Sequence, residues 1–61
     1  MTNPCEMLPL HISSIFSPTE AITILDKVGH VPQICNDLLN CSFSGDSAKA
    51  RQQLAEYGVS V

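Results

Sequence analysis

Val31, Ile34, Cys35, Leu38 and Leu39 recur at i, i+3, i+4, i+7 and i+8, and Gln33, Asn36, Asp37 and Asn40 fill the positions between them. Only a helix places that apolar set on one face; a strand would scatter it over both. This pattern predicts a helix over 32–40 with one buried stripe. It also commits the chain to helix packed on helix, because an apolar stripe must be covered by another element.

The flanking segments carry matching start and stop signals. Ser17-Pro18-Thr19-Glu20 has the form of a capping box, with proline at the first helical position, where its missing N–H costs nothing. Ala21, Ile24, Leu25 and Val28 follow at helical spacing, with Ile22 widening that face, and Gly29 reads as the left-handed residue that closes the helix. A helix is therefore expected over 18–28. Asp46 or Ser47 caps a third, over 47–57, whose residues are strong helix formers and whose inward face is Ala50, Leu54 and Tyr57. Residues 41–45 read as a polar loop, with Phe43 folding back to plug the core.

Residues 1–16 read differently. Pro4 and Pro9 oppose an early helix, and Leu10, Ile12 and Ser14 alternate with His11, Ser13 and Ile15 in a loose period of two. The expectation is an extended apolar N-terminal arm, residues 1–16, on an all-α domain of three helices, residues 17–61.

No constellation points to catalysis or to a bound cofactor. Cys5, His11, His30, Cys35 and Cys41 include no close pair of the kind zinc sites use. The carboxylates are scattered, and there is no glycine-rich phosphate loop. An odd count of 3 cysteines without framework spacing fits a reducing compartment. No apolar run approaches the ~20 residues of a membrane span, and the first basic side chain is Lys27, too late for a signal peptide. A cytoplasmic protein without membrane attachment is expected.

Charge narrows the partners. The net charge is −3, and the basic side chains are Lys27, Lys49 and Arg51. Phosphate backbones are bound by clustered cations, so direct nucleic-acid binding is disfavoured. The alternative reading is a dimeric DNA-binding regulator, since residues 21–39 resemble a helix-turn-helix, with Leu25, Val28, Cys35 and Leu38 near its core positions. Against it, His30 follows the glycine where that motif takes an apolar residue, and the second helix has Asp37 and no cation. An ordinary pair of helices accounts for the same spacing.

The expected function is binding to another protein chain. A domain this small buries a modest share of its surface, and an arm without charge between Glu6 and Glu20 must lie on something apolar. Leu8, Leu10, Ile12, Ile15 and Phe16, with Leu25 and Tyr57, are the expected anchors. Glu20, Asp37 and Glu56 would steer them to a basic face, such as that of a DNA-binding repressor. The expectation is thus a homodimer or obligate complex, regulating or inhibiting a larger protein by occlusion, as the antirepressors of phages and plasmids do.

Overall fold

The computed structural model describes residues 3–61. Among them the chain is all-α: α1 (Pro4–His11), α2 (Pro18–Val28), α3 (Pro32–Ser44) and α4 (Ser47–Glu56), with a short 3₁₀ turn, Ile12–Ser14, after α1. Four helices stand where three were expected, because the expected arm is helical from Pro4; its first two residues, Met1 and Thr2, lie outside the described residues.

The reason lies in a period the alternation of small and large residues hides. Leu8, Ile12 and Phe16 are spaced by four, and all are buried in one core with Ile24, Ile34, Leu38 and Leu54. Pro4 stands in the first turn, and the Asn3 side chain caps it by accepting from the Cys5 N–H at 2.9 Å. Pro9 does remove a hydrogen bond, at a cost of about 3 kcal/mol. Leu8 and Ile12, both fully buried, return about 1.5–3 kcal/mol each, with Phe16 beyond them, so packing outweighs the breaker. The outer face of α1 leaves Pro9 exposed.

Central to the fold is α3, with α1 and α4 as its closest neighbours. It runs a turn further than expected, to Ser44. The polar residues of that turn stay helical because their hydroxyls bond back along the helix: Ser42 Oγ donates to the Leu38 carbonyl (2.9 Å) and Ser44 Oγ to that of Asn40 (3.0 Å). Gly45, at φ 71°, then turns the chain. The Gly45 and Asp46 N–H groups donate to the Ser42 and Cys41 carbonyls, at 3.3 and 2.9 Å. α4 closes in the same way. Gly58 and Val59 donate to Ala55 and Leu54, and this tucks Val59 against the core.

The α2 capping box forms as read, with Ser17 Oγ accepting from the Glu20 N–H and Glu20 accepting from the Ser17 N–H. Gly29 does not take the expected left-handed conformation. Its φ is −65°, and the requirement there is space, since a Cβ would collide with the Leu25 carbonyl. Glu20 of α2 pairs with Arg51 of α4 at 3.0 Å, and the Arg51 guanidinium lies 5.1 Å from the centre of the Phe16 ring. This cluster fastens α2 and the segment after α1 to α4.

Candidate interaction surface

Once the core is filled, the residues nominated as partner anchors divide. Leu8, Ile12 and Phe16 are interior and unavailable to a partner. Ile15 and Leu25 are half-buried, packed on the rim of the core. Leu10 is 75% exposed and Tyr57 43% exposed. The inward face assigned to α4 therefore holds for Ala50 and Leu54 but not for Tyr57, which sits at the cap after the last turn.

Two exposed apolar side chains were missed. Phe43, expected to plug the core, is 63% exposed, and Ile22 is 71% exposed. The Ile22 position was legible: it lies about 100° around the helix from Ala21, off the stripe that Ala21, Ile24 and Val28 bury. Phe43 lies about 140° around the helix from Leu38, at the margin of the stripe that Ile34, Cys35, Leu38 and Cys41 bury.

α1 and α3 run in the same direction, and their C-terminal ends share an exposed edge. There the His11 ring meets Phe43 edge-on, with centroids 5.0 Å apart and planes at 73°. Ser14 Oγ reaches the Ser42 carbonyl beside them. Leu10 precedes His11 at that end of α1, with Glu6 one turn earlier on its face; Asp26 likewise lies one turn after Ile22. Leu10 and Ile22 thus each have an acidic neighbour on the helix surface. Among the charged side chains, Glu20 is committed to the fold. The Ser17 backbone N–H and then Arg51 hold its carboxyl below the ordinary value of 4.5.

A separate cleft lies between α3 and α4. It measures about 170 Å³ and is lined by Asp37, Asn40, Cys41, Ser44, Lys49 and Gln53. Small-molecule sites usually enclose ~300 Å³ or more. The Cys41 thiol there is raised above its ordinary 9.0 by burial, which outweighs the opposing pull of Lys49; Asp46 and Asp37 raise it further. A thiol held protonated is a poor nucleophile.

Among the described residues, no group of three or more His, Cys, Asp or Glu side chains is placed to hold a metal ion. None of the described helices is long and apolar enough to cross a membrane. α3, in the position of a recognition helix, exposes Gln33, Asn36 and Asn40 but carries no lysine or arginine. Comparison of the chain with protein-family models, with curated proteins and with solved structures finds no match.

Proposed function

We propose that this protein is a binding module that regulates or inhibits a larger protein by covering part of its surface, in the manner of an antirepressor. The observation that carries the reading is that the core closes without Leu10, Ile22 and Phe43. Three large apolar side chains are held in water on rigid helices, while no buried side-chain polar atom among the described residues lacks a partner. Large apolar groups held rigidly at a surface lose little conformational entropy on binding, which is what an anchor requires.

The charge pattern specifies the partner's face. Glu6 and Asp26 flank Leu10 and Ile22, and the chain carries −3 overall. A basic-rimmed apolar pocket is complementary to that arrangement. A second copy of this chain would set acids against acids, so a different protein is favoured over self-association.

Capture from the native host, followed by mass spectrometry, tests the reading. The wild-type protein should retain a protein partner. Leu10→Ser with Phe43→Ser should lose it while keeping the helical circular dichroism of the parent. Equal capture by both proteins, or tight salt-sensitive binding to duplex DNA, would overturn the proposal.

A further inference from the structure

We propose that Cys5 and Cys35 are a redox-modification site, closing reversibly to a disulfide that clasps α1 to α3. The inference is independent of what the exposed face binds.

Register selects this pair. α1 packs along α3 in the same direction, with His11 meeting Phe43 at the C-terminal end, and this register sets Cys5, packed against the core, over the N-terminal half of α3 where Cys35 is buried. Cys35 and Cys41 stand six residues apart on α3, about 9 Å along its axis, which exceeds the ~7 Å between Cα atoms that a disulfide spans. Cys41 also faces the cleft toward α4 rather than α1. Of the pairings open to these cysteines, register and facing leave Cys5 with Cys35.

Access sets the order of events. Cys5 is half-buried near the start of α1, whereas Cys35 is fully buried in α3 and donates its S–H to the Val28 carbonyl at 3.2 Å. A small disulfide such as oxidised glutathione meets Cys5 first. The Cys5 thiolate attacks one sulfur of the reagent and expels the other as a thiolate. The Cys35 thiolate then attacks the Cys5 sulfur and expels the second. Two protein S–H bonds and one reagent S–S bond become one protein S–S bond and two reagent S–H bonds; the protein loses two electrons and the reagent gains them. Burial, with Cys5 as neighbour, pushes the Cys35 thiol up to about 12, so the second step is slow near neutrality and accelerates with pH. The closed form ties the helix bearing Leu10 and His11 to the one bearing Phe43.

The experiment treats the full chain with oxidised glutathione. The intact mass should fall by two hydrogens after a transient adduct at Cys5. Trypsin, cutting after Lys27 and Lys49, should release residues 1–27 joined to 28–49. The link should persist in Cys41→Ala and vanish in Cys5→Ser, and fragmentation of the wild-type peptide pair identifies the cysteine should Cys41→Ala not fold. The closed form should melt higher by on the order of 10 °C. A link to Cys41, disulfides between chains, or an adduct at Cys5 that never closes would overturn the proposal.

Discussion

Leu8 and Leu10 have the same side chain, lie two residues apart on one helix, and should behave oppositely when cut back to alanine. Leu8 is fully buried and Leu10 is three-quarters exposed. Removing three carbons at Leu8 forfeits about 2.4 kcal/mol of transfer free energy at ~0.8 kcal/mol per methylene. The cavity left behind adds to this, giving about 2–5 kcal/mol in all. A 61-residue chain at ~0.05–0.15 kcal/mol per residue has about 3–9 kcal/mol to lose. Leu8→Ala should therefore remove between about a fifth and all of the stability. Leu10→Ala should shift it by no more than ~0.5 kcal/mol, as alanine is also a good helix former. Urea titration followed by circular dichroism at 222 nm (a general helix probe, with about 1 kcal/mol per molar or more of slope) reads both values. A loss below ~1 kcal/mol at Leu8 would mean that α1 is not docked, and the extended arm would be the better description. Equal losses at both positions would refute the assigned helical phase.

Other positions give further tests. Nothing lies near a Cβ built on Gly45, so Gly45→Ala should cost about 1–2 kcal/mol from its φ of 71° alone, and a synthetic chain with D-alanine there should show no such loss on thermal melting. Glu20 has a folded pKa below its ordinary 4.5, so its contribution is present above that pH and fades as the pH falls beneath it. The melting-temperature gap between wild type and Glu20→Gln should therefore be widest near neutrality and close in acid. For Cys35 the sign is reversed. The folded state keeps a proton that the unfolded chain releases above 9.0, so stability should hold below 9.0 and decline toward about 12, and Cys35→Ala should flatten that decline in alkaline urea melts.

The three later helices were legible because their signals are local. The Ser17–Glu20 capping box, the Val31–Leu39 stripe and the Asp46 cap need no knowledge of what surrounds them. α1 was not legible because its local signals disagree. Pro9 and the alternation through Leu10 and Ile12 speak for an extended chain, whereas Leu8, Ile12 and Phe16 speak for a helix, and only packing on α3 decides. The last turn of α3 was hidden similarly, its serines being polar in composition yet paired to carbonyls one turn back. Exposure was the least legible property of all. Leu8 and Leu10, or Leu39 and Phe43, are told apart by where neighbouring helices lie, which no single segment encodes.

Placing α1 in the core also changes what the exposed residues mean. With an extended arm, the small size of the domain and its apolar surface had a common explanation: a second chain would be needed to complete the fold. With α1 and the turn after it docked, Leu8 and Ile12 join the core that holds Ile34 and Leu38, and no described buried side-chain polar atom is left unpaired. Within the single chain the core closes with Leu10, Ile22 and Phe43 left facing water. The two explanations diverge in a measurable way. A chain that needs its partner to fold melts at a temperature that rises with protein concentration, whereas a self-sufficient fold melts at one that does not. The expected result is a concentration-independent melt that Leu10→Ser with Phe43→Ser leaves almost unchanged, together with loss of partner capture by that same variant. A melt that climbs with concentration, and falls in the variant, would return those side chains to the folding of a homo-oligomer.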